Sequence, residues 1–246
     1  MSPLDASAMT AGLPVMLRAA GAALLAPGFT EMPLGLRLGL AAMAGLIALP
    51  LGTGQVPPAG SWLAWAPAEL LAGACIGGVA ASAVLGLRWM GRLAGEQMGL
   101  AVGATYAPDA DPGETNAVES VMGWCAAACF VAVGGIDAVV LAAVRSRAAG
   151  AGDWIGSARG LATTMDAALQ VGLRACLPVL AVTLAGTLIG GVVIRAAPRV
   201  VTLAGGFGVR AAMGLGMLTA SAGAAWALQQ ELLRDTLGRL ATGGAW

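Results

Sequence analysis

Several full charges stand inside apolar runs of this 246-residue chain. Arg18, Glu69, Arg88, Arg92, Glu96, Asp137, Arg174 and Arg210 fall within or at the ends of segments that otherwise read as membrane-spanning helices. A charge at the bilayer centre costs at least about 2.5–3.5 kcal/mol on insertion scales. Such a set implies partners, which are one another, a neighbouring subunit or water in a channel. Arg88 and Arg174 stand at span ends, where a long side chain also reaches the interface by snorkelling. That reading suits Arg18, Glu69 and Asp137 less well. A paired acid and arginine in a membrane can relay protons. With no histidine and one acid per span, such a relay lacks its usual intermediate.

Other chemistry finds no constellation. Cys125 and Cys129 share a helix face at i, i+4, but with no histidine and no CxxC spacing a zinc site is not expected. All four cysteines, Cys75, Cys125, Cys129 and Cys176, lie in apolar runs and read as small buried side chains. Ser61, Ser82, Ser120 and Ser146 have no histidine base. Gly206-Phe207-Gly208 follows no strand, so it does not read as a nucleotide loop. Thirteen arginines balance thirteen acids, which leaves no basic surface for nucleic acid. The expectation is a non-enzyme without metal or cofactor.

The elements that carry these charges are apolar. The chain is 58% hydrophobic and 11% charged, with a mean hydropathy of +0.82. A soluble domain carries about a quarter charged residues, so lipid or apolar subunits must solvate this one. Charge-free runs mark the spans, since about 20 apolar residues cross the hydrocarbon core. They run from about Thr10 to Phe29 (interrupted by Arg18), Leu34 to Leu49, Pro67 to Leu87, Ala117 to Val144, Ala175 to Ile194 and Leu203 to Leu228. The reading is an all-α membrane protein of about six long apolar helices. No strand pattern suggests a barrel. Residues 161–174 are amphipathic, and the tail QQELLRDTLGRLA reads as an amphipathic helix. No basic residue precedes Arg18, so a cleavable signal is not expected. The arginines divide evenly between the two sides and do not orient the spans.

The stretch from Gly91 to Asn116, GRLAGEQMGLAVGATYAPDADPGETN, departs from this pattern. Gly91, Gly95, Gly99 and Gly103 recur every four residues and would form one bare helical stripe, suited to close packing or sliding. Gly73/Gly77 and Gly186/Gly190 have the same spacing, but chance explains a single pair in a glycine-rich chain. The stripe runs into a loop of Pro, Asp, Gly and Glu.

The ordered set of these residues resembles the FliR family, called SctT in injectisomes, over nearly the whole chain. The resemblance rests on Arg18, Gly21 and Pro27; Pro33 and Arg37; Glu69-Leu70; AGEQMGLAVG from Ala94 to Gly103; Pro108; Gly135; Ser146; Leu177-Pro178; Arg195 to Pro198; and Gly206-Phe207. The chain departs from the family at Pro198-Arg199-Val200-Val201, where a Gln and an Asn are common. It departs again at Ile136 (often His) and at Gly208 (often Pro).

The resemblance implies an export-gate subunit of type III secretion in the bacterial inner membrane, at the flagellar basal body or in an injectisome. It implies FliP-like and FliQ-like subunits and FlhB-like and FlhA-like export proteins as partners, with unfolded proteins as substrates. It implies a FliP-like part at 1–150 and, at 151–246, a connector and FliQ-like helical hairpin. It also implies a pore plug, here Thr105, Tyr106, Pro108, Asp109, Asp111, Pro112, Glu114 and Asn116. A small-molecule or ion transporter is the alternative from another class. Against it, the chain lacks the repeated interrupted helices common in transporters.

Overall fold

The computed structural model describes residues 3–27, 33–48, 62–100, 116–145, 154–196 and 206–241. Among them are seven helices and no strand. They are α1 (Pro3–Leu25), α2 (Leu34–Ala48), α3 (Trp62–Met98), α4 (Ala117–Ala132), α5 (Gly135–Arg145), α6 (Trp154–Ala196) and α7 (Gly206–Ala241). In a non-aqueous solvent, backbone N–H and C=O groups must be satisfied within the segment, so an apolar chain of this kind adopts helices.

The all-α membrane architecture expected from the charge-free runs is present. Among the described residues three helices, α3, α6 and α7, are long and apolar enough to cross a membrane; the bent pair α4–α5 is either a broken span, which makes four, or a re-entrant loop. Helices α1 and α2 contribute shorter apolar stretches among the described residues, Leu13–Leu25 and Leu34–Met43. Helix α1 has 23 residues and carries Arg18 within its apolar stretch, and α2 has 15 residues. At 1.5 Å per residue α2 is roughly 22 Å long, less than the hydrocarbon core.

The run from Ala117 to Val144 is broken. Val133 and Gly134 separate α4 from α5, and the two helices bend by 60°. Gly134 has φ +81°, in the left-handed region where a Cβ is costly. Asp137 therefore does not lie in the middle of a helix. It stands in the first turn of α5, exposed, where a carboxylate complements the helix dipole. The amphipathic stretch 161–174 and the apolar stretch that follows form one unbroken helix, α6, of 43 residues. No helix-stopping signal separates them, and Pro178 is carried inside.

The chain sorts into two compact units. The first comprises Met1–Val84, Ala127–Ala167 and Leu232–Trp246. Its core includes small side chains such as Val15, Ala19, Ala22, Ala41, Val79, Ala80, Ala83, Ala142 and Ala143, and larger ones such as Ile76, Phe130, Leu233, Leu237 and Leu240. Helices α1, α2 and α5 pack together there around a cavity of about 30 Å³, bounded by alanines, valines and Leu40. The second unit comprises Leu85–Ala126 and Ala168–Glu231. Its core includes Leu87, Met90, Ala94, Met98, Val118, Cys176, Val179 and Leu218.

Outward surfaces are apolar. The most hydrophobic window of α6 is only 11% buried within the chain, against 56% for that of α3. Leu184, Leu188, Ile189 and Val192 of α6 all stand exposed, as a helix solvated by lipid or by another subunit requires.

Candidate functional site

Two arrangements gather the polar side chains that an apolar fold would otherwise exclude. The first lies between α1 and α3 in the first unit. Arg18 Nε donates to Glu69 Oε2 at 2.9 Å, and Arg18 Nη2 reaches the same oxygen. Each side chain is 3% exposed. Neither charge snorkels; they neutralise each other inside the protein.

Glycines make that approach possible. A Cβ on Gly73 would run into the Arg18 carbonyl, one on Gly77 into the Ala22 carbonyl, and one on Gly21 into the Leu70 carbonyl. Residues 18, 21 and 22 of α1 thus meet residues 69–77 of α3, numbers rising together, so the two helices run parallel. Gly73/Gly77, which the sequence alone could not separate from chance, is a backbone-to-backbone crossing of the kind small-xxx-small spacing permits. A similar crossing joins α3 and α6 in the second unit. A Cβ on Gly86 would meet the Ala168 carbonyl, and one on Gly172 the Gly86 carbonyl.

The second arrangement is the end of α3 and the start of α4. Helix α3 stops at Met98 with Gly99 in the left-handed region, φ +79°. Leu100 N–H donates to the Gly95 carbonyl (2.9 Å) and Gly99 N–H to the Glu96 carbonyl (3.0 Å). This is a Schellman cap. Gly99 therefore terminates the helix and does not extend its bare stripe; Gly103 lies outside the described residues. Gly91 and Gly95 do serve close packing, within the chain. A Cβ on Gly91 would lie 2.8 Å from Met122 Cβ and from the Val118 carbonyl oxygen. One on Gly95 would lie 2.5 Å from the Asn116 amide. Numbers rise on one side as they fall on the other, so α3 and α4 are antiparallel here.

Asn116 caps α4. Its Oδ1 accepts from Glu119 N–H at 2.7 Å, and its Nδ2 donates to the Arg92 carbonyl at 3.3 Å. Glu119 in turn accepts from Arg88 Nε at 3.1 Å. The arginine side chain is 46% exposed and the glutamate 10%. Gly123 leaves space for the arginine stem. Glu119 is the buried, paired charge that the survey of charges missed. Its signal was readable, because Asn116-Ala117-Val118-Glu119 has the spacing of a helix-start capping box.

The other expected charges are dispersed. Glu96 pairs with Arg92 at 3.0 Å on the exposed surface of α3. Arg174 is exposed and Arg210 half-buried; with Asp137, they make no ion pair among the described residues. Of the plug residues, Thr105, Tyr106, Pro108, Asp109, Asp111, Pro112 and Glu114 lie outside the described residues. Asn116 is described, and it belongs to the start of α4. Among the described residues no three Cys, Asp or Glu gather as a metal site. Cys176 Sγ lies 3.8 Å from the Met90 carbonyl, deep in the second unit.

Comparison with known proteins places these features in one family. The model of "Bacterial export proteins, family 1" matches residues 9–236. No curated protein matches the chain.

Proposed function

The chain belongs to the bacterial export proteins, family 1, the FliR/SctT family, and from that premise we propose that it is a subunit of the type III protein export gate, forming the secretion pore with FliP-like and FliQ-like subunits. Membership makes it a membrane component of type III protein export, in a family of structural parts of the export apparatus. The family implies a gate complex with other export proteins. The finer reading gives it FlhB-like and FlhA-like proteins as further partners and unfolded proteins as substrates. It places the chain in the bacterial inner membrane at a flagellar basal body, with an injectisome as the other setting. Residues 1–150 form a FliP-like part, and residues 151–246 a connector and FliQ-like hairpin.

The observation that carries this reading is the combination of internal and external surfaces. The chain spends its glycines and buried charges on internal helix crossings, at Arg18–Glu69, Gly73, Gly77 and Gly86. It leaves the long apolar flanks of α6 and α7 uncovered. Such a molecule suits an intramembrane assembly better than a self-contained catalyst. Between Leu100 and Asn116 the Pro/Gly-rich acidic segment makes the candidate plug. Asp109, Asp111 and Glu114 give this sequence an acidic character suited to water.

Co-expression with the FliP-like and FliQ-like proteins of the same genome tests the proposal. The expected result is one detergent-stable complex of all three. A chain that purifies alone, stable and free of both, overturns it.

A further inference from the structure

We propose that Trp89, Trp124 and Trp226, with Arg174 beside them, form a belt that binds the headgroup layer of a phospholipid bilayer and sets the depth at which the second unit stands. Such a belt requires only a chain that meets lipid, as family membership supplies, and neither a pore nor a plug.

The four residues lie on four helices at one level. Helices α3 and α6 rise together here: Gly86 meets Ala168 and Gly172, and the Met90 carbonyl meets Cys176 Sγ. Trp89 and Arg174 stand beside that last contact. Helix α4 runs antiparallel to α3, and a Cβ on Gly123 would lie 3.7 Å from the stem of Arg88, which brings Trp124 to the same turn. Helix α7 runs back along α6, because the start of α7 groups with the end of α6 and the end of α7 with the start of α6. Gly186 meets Met213, and Gly214 meets Met98. Counting equally far from either contact towards Trp226 arrives at Leu173 on α6 or Gly86 on α3, and Gly86 itself meets Gly172. The levels therefore agree by two routes.

All four side chains face outward. Trp124 is 73% exposed, Trp89 42% and Trp226 37%, and Arg174 is exposed. Their level is where charge stops. Between Arg174 and Arg195, α6 is charge-free over about 30 Å, the thickness of the hydrocarbon core. Leu177, Leu184, Leu188, Ile189 and Val192 stand out from that run. Alongside it, from Gly206 to Ala225, α7 carries Arg210 alone. Arg210 lies about two turns short of the Arg195 level and reaches it by snorkelling. On the same side, α3 and α4 carry their charges as the pairs Arg92–Glu96 and Arg88–Glu119. On the other side of the belt come Gln170, Gln230 and Glu231. An indole is an apolar plate with one N–H donor, and tryptophan collects at the membrane–water boundary for that reason. An arginine there donates to phosphate. A protein partner would not require tryptophans on three helices to share the level at which charge stops; a bilayer does.

The chain, with whatever subunits co-purify with it, is reconstituted in phosphatidylcholine liposomes whose acyl chains carry bromine either near the headgroup or near the chain end. Bromine quenches tryptophan fluorescence on contact. The signal that disappears in the Trp89→Phe/Trp124→Phe/Trp226→Phe variant belongs to the belt. It is expected to be quenched by the shallow bromine and to lose most of that quenching with the deep one. No quenching by either means that protein covers the rings, and stronger quenching by the deep bromine puts them in the hydrocarbon; both results overturn the belt. If the triple variant does not fold, the three single variants give the same reading one ring at a time. Depth is checked independently on α6, where Leu173 and Leu184 are both exposed. Leu173→Cys is expected to react with a membrane-impermeant maleimide and Leu184→Cys to lose that reactivity, with the wild-type chain as the blank for its own cysteines. Equal labelling overturns the assigned level. The subunits that co-purify decide the gate reading, and the quenching decides the belt.

Discussion

Removing either partner of the Arg18–Glu69 pair should be the most destabilising change at any charge in the described chain. Both side chains are 3% exposed, so the pair belongs to the buried regime. There, loss of one member costs about 3–5 kcal/mol, because the other charge stays in a low-dielectric interior without its counter-ion. An exposed pair such as Arg92–Glu96 is worth at most about 1 kcal/mol. Glu69→Met should therefore lower the apparent melting temperature of the co-purified complex by about 10 °C, taking about 2–4 °C per kcal/mol for a chain of this size. Arg18→Met should do the same. The double variant should recover most of the loss, since an apolar pair of similar volume replaces a buried ion pair at little net cost. The coupling energy from the four-way cycle should exceed about 2 kcal/mol, compared with near zero for residues that do not touch. Single variants that each cost under about 1 kcal/mol, or effects that simply add, would refute the inference that the two charges neutralise each other inside the fold.

Other expectations follow from backbone geometry. Gly73→Leu should abolish assembly, because even a Cβ at that position meets the Arg18 backbone, which cannot swing aside; normal complex yield on gel filtration would contradict the crossing. Gly134→Ala should cost about 1–2 kcal/mol through its left-handed conformation, measured as lowered thermal stability. Gly134→Asn should cost less, since Asn tolerates that region better. Gly99→Ala should weaken the end of α3 by a similar mechanism, seen as faster amide exchange at Leu100, while an unchanged exchange rate would argue against the cap.

How much of this was readable beforehand depended on whether the deciding contact was local. Charge-free runs identified the helices because the bilayer imposes one backbone solution on an apolar segment. Arg18 and Glu69 stood out singly as charges that snorkelling suits poorly. Their pairing did not, because 51 positions separate them and only the α1–α3 crossing joins them. The four-residue glycine rhythm marked Gly91 and Gly95 as packing positions without saying that α4 of the same chain would fill them. It also carried the stripe past Met98, where the helix ends and Gly99 forms the left-handed cap. Glu119 is hidden from a survey of apolar runs because Asn116 ends a polar stretch in sequence while in the fold it opens a capping box. The unbroken α6 escaped for the opposite reason: a change from amphipathic to apolar character looks like a boundary, yet no backbone signal there stops a helix. The break at Gly134 was hidden inside an apolar run whose composition does not change across it.

A subunit of the export gate is indispensable to secretion, so deleting the gene in its own host and measuring secreted type III substrate in the culture supernatant separates this role from any other. Secretion is expected to stop, substrate to accumulate inside the cell, and the intact chain supplied in trans to restore export. Secretion at the wild-type level in the deletion strain would contradict it.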